Sequence, residues 1–507
     1  MVDVPLSDGS LTTMVRDIQS TLDFSEDPQA ISTIRERGDR YEAALLFSAI
    51  GDALGWPIEF LKVDSKLRFE LPIKNYVGWN KRVGGLWWGY PDRIEPGQYS
   101  DDTQLSLAVA RCISDVGAFE PERFAYHELP LWLHYERGGG RSVKAAARAL
   151  VGPKSDWLRN FYRRNDLDYR MTGANGATMR NLPISLASAA NENRVITDSI
   201  LNTLITHGHP RALTGTVLYG LAIRYAILYQ EIKLETMLEY LSSSLATIWQ
   251  TIRKDSRIND WIMEWETHAR SESGTFKLNL EKTITEAGLY LRNIEKYIDR
   301  DPKEYYSTIG ALDPMTKGSA LSTICAAIYL FFKYNEHSDE ALITSANLLG
   351  SDTDTISSFV GALFGASQGP SAIPSQLEQQ LQDHEYILKV GRRLHAIGSG
   401  KLGNTSSSGS KINRRDAYMS IIAWEIGLHE MFWDAIQEGG VVVHPALGRG
   451  TIVRKKIEKL RREGYDAKLM HVQFDCGQSC VFHSRVTDKN YVMDSLAEDI
   501  SRSLRQS

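Results

Sequence analysis

Cysteine is scarce. Four residues in 507, Cys112, Cys325, Cys476 and Cys480, are too few for a disulfide framework, and a reducing compartment is the expectation. Long apolar runs are also missing. The longest, such as "ICAAIYLFF", fall well short of a bilayer, so no membrane span is expected. There is no excess of basic charge. The formal net charge is −5, and nothing global points to nucleic acid or to a membrane surface. The opening "MVDVPLSDGSLTTMVRDIQS" carries neither the basic nor the apolar region of a signal peptide, so a cytoplasmic protein is expected. What remains, 42% apolar and 24% charged residues, is the composition of a globular protein large enough for several domains.

What is present is helical periodicity. "YEAALLFSAI", "TQLSLAVARCI", "GTVLYGLAIRYAILY" and "GSALSTICAAIYLFFKY" all place apolar residues at i, i+3 and i+4. An all-α domain is expected over 38–395, after an N-terminal arm at 1–37. The Trp- and Gly-rich stretch 77–100 reads as a long loop, and long ordered loops are usually functional. A Gly/Ser-rich linker follows at 396–415. Residues 416–507 then read as one helix and a small SH3-like β-barrel, because the period changes to two within 439–495.

The stretch "NLLGSDTDTISSFVGALFGA" (347–366) puts Asp352 and Asp354 inside an apolar run. Burying carboxylates costs several kcal/mol unless something compensates them. Taken alone, it reads as a helix starting near Thr353, with Ser351 or Asp352 as N-cap and Asp354 at the positive end of the helix dipole. That uses one carboxylate and leaves Gly361, Ala362, Gly365 and Ala366 unexplained. "GQYSDDTQLSLAVARCI" (97–113) repeats the construction with Ser100, Asp101, Asp102 and Thr103. Two such helix starts in one domain suggest a shared cavity holding a cation. Carboxylates and hydroxyls are hard oxygen donors, which favours Mg²⁺ or Mn²⁺ over Zn²⁺. Four carboxylates suffice for two ions, roughly 3.5–4 Å apart. Asp52 and Glu59, in "GDALGWPIEF", add acidic groups whose weight comes only from this company.

"GDALGWPIEF", "SDDTQLSLA", "GANGATMR", "THGHP" and "GSDTDTISSFVGALFGA" occur in this order, and together they resemble the ADP-ribosylglycohydrolases. The resemblance covers about residues 38–370. It implies an all-α fold and two Mg²⁺ or Mn²⁺ ions. The implied metal ligands are Ser100, Asp101, Asp102, Asp352, Asp354 and Thr355, with Asp354 also in a catalytic role. Glu59 matches the family's glutamate near the metals, as a ligand, a water-activating group or both. The loop "GANGATMR" would approach the diphosphate and ribose of ADP-ribose through Gly173, Asn175 and Gly176, and Gly at these places permits close backbone approach. Asp52, His207 and His209 would line the substrate cleft. A His-x-His zinc site and a plain helix start remain open for the two histidines. Ser351 and Ser100 replace a glycine and a threonine found in relatives, and neither change removes a carboxylate.

The implied reaction is hydrolysis of the glycosidic bond at C1 of the distal ribose, through an oxocarbenium-like state. The substrate would be an ADP-ribosylated protein, nucleic acid or small molecule. Two other readings stand beside it: a non-catalytic ADP-ribose-binding protein, and a nucleic-acid-targeting adaptor acting through the barrel. The second draws on residues 449–468, which hold eight Lys/Arg against three Asp/Glu. A solvated face or a protein-docking surface explains that run equally well. Cys476 and Cys480 with His471 and His483 could bind zinc, but the spacing is off the usual pattern, and buried or free thiols are the favoured reading.

Overall fold

The structure is a computed structural model that describes residues 26–59, 61, 70–83, 89–164, 166–268, 274–402, 412–428, 433, 435–460 and 466–483. Helix α1 (Pro28–Arg35) buries Ala30 and Ile34, and the Asp27 amide donates to Ala190 O at 3.1 Å. The segment Asp27–Arg35 is therefore anchored to the helical body through these contacts.

The centre of that body is a pair of antiparallel helices, α2 (Gly38–Gly55) and, much later in the chain, Thr353–Gln368. Both are apolar on nearly every face and buried along most of their length, so both lie inside the bundle. Small residues set their spacing. A Cβ at Gly51 would lie 2.2 Å from Ser357 O, at Gly55 2.3 Å from Thr353 O, at Gly361 2.2 Å from Phe47 O, and at Gly365 2.5 Å from Ala43 O. Four backbone contacts, each one helical turn from the next, make a continuous seam. Ser48 and Ser358 share a hydrogen bond of 2.7 Å across it, and Thr353 Oγ1 donates to Gly55 O at 2.9 Å. The seam explains the small residues, and it brings the C-terminal end of one helix beside the N-terminal end of the other.

The expected loop at 77–100 is in part a hairpin. Strand β1 (Trp79–Val83) pairs antiparallel with β2 (Tyr90–Ile94), and residues 84–88 lie outside the described residues. The alternation was hidden because one inward position is charged. Tyr90, Asp92 and Ile94 face inward, and Asp92 is held by the buried Arg137 through two hydrogen bonds of 3.1 Å. Helix α3 (Asp101–Arg111) follows directly, with Ser100 as N-cap.

Around this centre pack α4 (Arg141–Leu150), α5 (Glu192–Leu204), α6 (Pro210–Leu228), α7 (Leu234–Ile252), α8 (Ser256–Thr267) and α9 (Phe276–Tyr297). They are followed by α10 (Ala320–Tyr334), α11 (Ser338–Asn347), α12 (Thr353–Gln368) and α13 (His384–Gly398). No helix among the described residues is long and apolar enough to cross a membrane.

Helix α14 (Arg414–Gly427) leads to an antiparallel sheet of β3 (Val441–His444), β4 (Gly448–Lys459), β5 (Asp466–Phe474) and β6 (Ser479–His483), in that order. The sheet is open, so the expected barrel is corrected to four strands without closure. Its apolar face is covered by helices instead of by itself. Phe482 meets Tyr135 and Trp424 at ring-centroid distances of 5.8 and 5.0 Å, and Met470, Val472 and Phe474 belong to the same core as the helical body. The sheet thus lies on the bundle rather than apart from it. Much of its basic run is paired within the sheet or with the chain just before it. Arg449 faces Asp475, Lys456 faces Glu458, Lys459 faces Asp466, and Lys455 Nζ donates to the Trp433 and Ile436 carbonyls. This gives the nucleic-acid reading no support.

Candidate active site

The seam decides the site. It sets the turn after α2, which carries Glu59, against the start of α12, which carries Asp352 and Asp354. One carboxylate oxygen from each of the three lies within 4.8 Å of the others, and this is the one such potential metal-holding group found among the described residues. The His-x-His pair and the Cys476, Cys480, His471, His483 set form no comparable group there, and all four cysteines are free.

Asp352 is the N-cap residue of α12, yet its side chain makes no capping hydrogen bond. It accepts from Asn175 Nδ2 at 3.1 Å instead, and a Cβ at Gly318 would sit 3.0 Å from its Oδ2. The helix start, the N-cap position of Asp352 and Asp354 in the first turn are as expected, but the Asp352 side chain serves the Asn175 contact in place of a capping bond. The loop carrying Asn175 is pinned from several sides. The Asn175 amide donates to Gly318 O at 2.9 Å, and the Ala320 amide donates to Gly173 O at 3.1 Å. Arg180, fully buried, donates to Gly176 O at 2.7 Å and to Asn202 and Thr206.

The first acidic pair arrives by a different device. Both oxygens of Asp52 accept from the Ser100 amide at 3.1 Å, and Oδ2 also accepts from the Thr103 amide at 3.1 Å and Thr103 Oγ1 at 2.6 Å. Asp52 is fully buried and ties the end of α2 to the start of α3. Ser100 Oγ accepts from the Asp102 amide at 3.2 Å. Thr355, in the first turn of α12, lies close enough to Asp102 to favour its charged form, so the two acidic helix starts face each other. Asp101 borders Gly138, where a Cβ would lie 2.6 Å from its Oδ1.

The pocket is crowded with buried carboxylates, and Lys81 supplies the opposing positive charge felt by Glu59 and Asp101. Burial raises Glu59 to about 8, with Asp352 adding to the shift and Lys81 opposing it. Burial raises Asp101 to about 7, again opposed by Lys81. Asp102 and Asp354 are pushed well above the carboxylate range by burial and then by their acidic neighbours. Asp102 Oδ2 is buried and has no hydrogen-bond partner. An orphaned carboxylate oxygen among hard oxygen donors fits a divalent cation.

Two lysines complete the surroundings, and neither was assigned a role from the sequence. Lys317 Nζ donates to Glu59 O at 3.1 Å and reaches Ser351 O at 3.5 Å, bridging the two acidic turns. Lys81, on the inward side of β1, places Nζ 5.0 Å from the Trp56 ring, so the hairpin covers the pocket. Their positions depend on the hairpin and on the turn before α10, which no local motif announces.

His207 and His209 lie behind the Gly-Asn-Gly loop. A Cβ at Gly176 would be 3.1 Å from His207 Cε1, and one at Gly173 would be 3.4 Å from His209 Nδ1. His209 Nδ1 accepts from the Arg211 amide at 3.0 Å and caps α6. His207 Nδ1 pairs with Thr206 Oγ1 at 2.7 Å, and burial, with Arg180 adding to it, lowers its pKa to about 3.

A helical body whose distant helix ends deliver carboxylates to one pocket defines a class of protein, and comparison with known sequences specifies it. The ADP-ribosylglycohydrolase family profile matches residues 33–402, and the chain belongs to that family. It is a glycosyl hydrolase of the kind that removes ADP-ribose. The chain is 25% identical to the ADP-ribosylhydrolase ARH3 of Gallus gallus, over 73% of this chain and 96% of that one. It is 24% identical to the ADP-ribosylarginine hydrolase Tri1 of Serratia proteamaculans, over 43% of this chain and 56% of that one. It is 28% identical to the ADP-ribosyl-[dinitrogen reductase] glycohydrolase of Rhodospirillum rubrum, over 37% and 58%. A solved chain titled ADP-ribosylglycohydrolase-related protein complex aligns with a TM-score of 0.47 and 22% identity, over 72% of this chain and 99% of that one. The family match stops at 402, so the C-terminal sheet lies outside it.

Proposed function

We propose that the chain removes ADP-ribose from a modified protein side chain in a reaction that depends on two divalent cations, Mg²⁺ or Mn²⁺. The observation that carries this is the orphaned, buried Asp102 oxygen, whose charge is felt beside the Glu59, Asp352 and Asp354 group. Asp101, Asp102, Asp352 and Asp354 would hold the ions, with hydroxyl or carbonyl oxygens of Ser100 and Thr355 completing the donor set. When bound, the ions supply positive charge toward the ribose hydroxyls and the attacking water.

The chain's own residues do the rest. Asn175 orients Asp352, and Asp52 orients the Ser100–Asp102 turn. The pinned loop Gly173–Gly176 offers backbone to the diphosphate and ribose. Glu59, beside Asp352 and Asp354, is placed to position the water and accept its proton while the C1 bond breaks. The nearby carboxylates stabilise positive charge growing on the sugar. The acceptor belongs to the amino-acid side chains, and arginine is the first to test because one relative's name specifies it.

Calorimetry of ADP-ribose binding with Mg²⁺ and then with EDTA tests the metal dependence, and hydrolysis of arginine- and serine-linked ADP-ribosyl peptides tests the acceptor. Asp352→Asn and Asp354→Asn should abolish turnover while far-UV circular dichroism stays helical. Full activity in both variants overturns the assignment.

A further inference from the structure

The C-terminal sheet lies outside the family match, yet its last turn grips the helix that bears the first acidic pair. Two adjacent residues do this. Ser479 donates through its amide to Asp383 Oδ2 at 2.9 Å and through Oγ to Asp383 Oδ1 at 2.7 Å. The same Asp383 Oδ2 accepts from Tyr99 Oη at 2.6 Å, and Tyr99 immediately precedes Ser100. That chain ends at the N-cap of α3. Gln478 Oε1 accepts from Arg111 Nη1 at 2.8 Å, and Arg111 is the last residue of α3. Arg111 is itself held by a two-bonded pair with the fully buried Glu128, at 3.0 and 2.8 Å. Both ends of α3 are thus tied to neighbouring positions on one turn of the sheet.

Asp383 takes a left-handed backbone conformation, with φ of 57°, which a non-glycine residue adopts at a cost. The surrounding contacts hold it there. The Gln382 amide donates to Gly97 O at 2.9 Å, and a Cβ at Gly97 would lie 2.0 Å from Gln380 O, so the chain before Tyr99 is clamped to the chain before Asp383. A third link runs from β6 to the hairpin, where Tyr90 Oη and His483 Nδ1 share a hydrogen bond. In a partly buried setting such chains of hydrogen bonds are directional.

We propose that the turn Asp475–Ser479 is a positioning element for the first acidic pair. Ser479, acting through Asp383 and Tyr99, and Gln478, acting through Arg111, hold α3 where Asp101 and Asp102 reach a divalent cation. Tyr99, Asp383, Gln478 and Ser479 are positioning residues and touch no substrate. The proposal rests on the metal reading above. It assigns the appended sheet a role within the enzyme's own chemistry.

The test uses the full chain and Mn²⁺ as the probe, titrated by calorimetry. Tyr99→Phe and Ser479→Ala each remove a hydroxyl with little change of shape. Each should raise the Mn²⁺ dissociation constant by about tenfold, in line with other residues that orient metal ligands. The double variant should be little worse than either single one, because both act through Asp383, and Ser479→Thr should restore binding. A lower Tm with unchanged Mn²⁺ affinity in both single variants means the sheet only stabilises the fold, and overturns the proposal alone. A wild-type chain that takes up no Mn²⁺ overturns the metal reading and this proposal together.

Discussion

Asn175 Nδ2 lies 3.1 Å from Asp352 Oδ2, across 177 positions of sequence. The bond turns Asp352 away from the helix it caps and into the pocket. An amide-to-carboxylate hydrogen bond fixes the direction of the carboxylate, and in the proposed reading its other oxygen would meet a cation. Asn175→Ala should therefore weaken metal affinity by about tenfold with little change in Tm. Calorimetric Mn²⁺ titration checks it, and an unchanged dissociation constant would place Asn175 outside the site's support.

Asp52 receives four hydrogen bonds from Ser100 and Thr103. Every partner is a donor. In Asp52→Asn the side-chain NH₂ would face at least one of them, leaving buried donors unmatched. A loss of about 1–3 kcal/mol in unfolding free energy is expected, together with weaker metal binding. Urea denaturation measures the first. Wild-type stability in this variant would mean that water replaces the lost acceptor.

Gly51 sits on the seam between α2 and α12, where a Cβ would lie 2.2 Å from Ser357 O. Backbone cannot move aside as a flexible side chain can. Gly51→Ala should cost about 1–3 kcal/mol or more and lower Tm, by forcing the two central helices apart. Gly427→Ala is the control. It is also helical, and a Cβ there meets nothing within 4 Å. Equal Tm values for the two variants would contradict the seam.

His207 is fully buried, and its pKa is lowered to about 3 from an ordinary 6.5, by burial first and by Arg180 second. Its ring should remain neutral from pH 5 to 8, with no titration of its NMR resonances. The unfolded chain binds a proton at this residue below pH 6.5, and the folded chain does so only near pH 3. The stability linked to His207 is therefore complete above pH 6.5 and falls as pH drops toward 3, by about 1.4 kcal/mol for each pH unit within that window. His207→Gln should flatten the difference in unfolding free energy between pH 7 and pH 5. An identical difference in both proteins would show that the histidine is protonated in the folded state.

Much of the helical body was legible. The start of α12 near Thr353 and the Asp-rich starts of both helices follow from apolar spacing and capping residues, which act over a few positions of chain. The pairing of Trp79–Val83 with Tyr90–Ile94 was not legible, because Asp92 occupies an inward position and is paired with Arg137, far away in sequence. The open sheet read as a barrel because period-two alternation reports that one face is buried, but not what covers it.

The sequence by itself determined which residues carry acid and where the helices begin, since periodicity, caps and glycine positions are local properties of the chain. Tertiary structure decided which of those acids meet. Asp52 and Asp352 are both buried carboxylates at helix ends, yet one takes up backbone amides and the other turns into the pocket. That difference arises only when Gly51, Gly55, Gly361 and Gly365 let two backbones touch, because contact at that distance depends on what both partners lack.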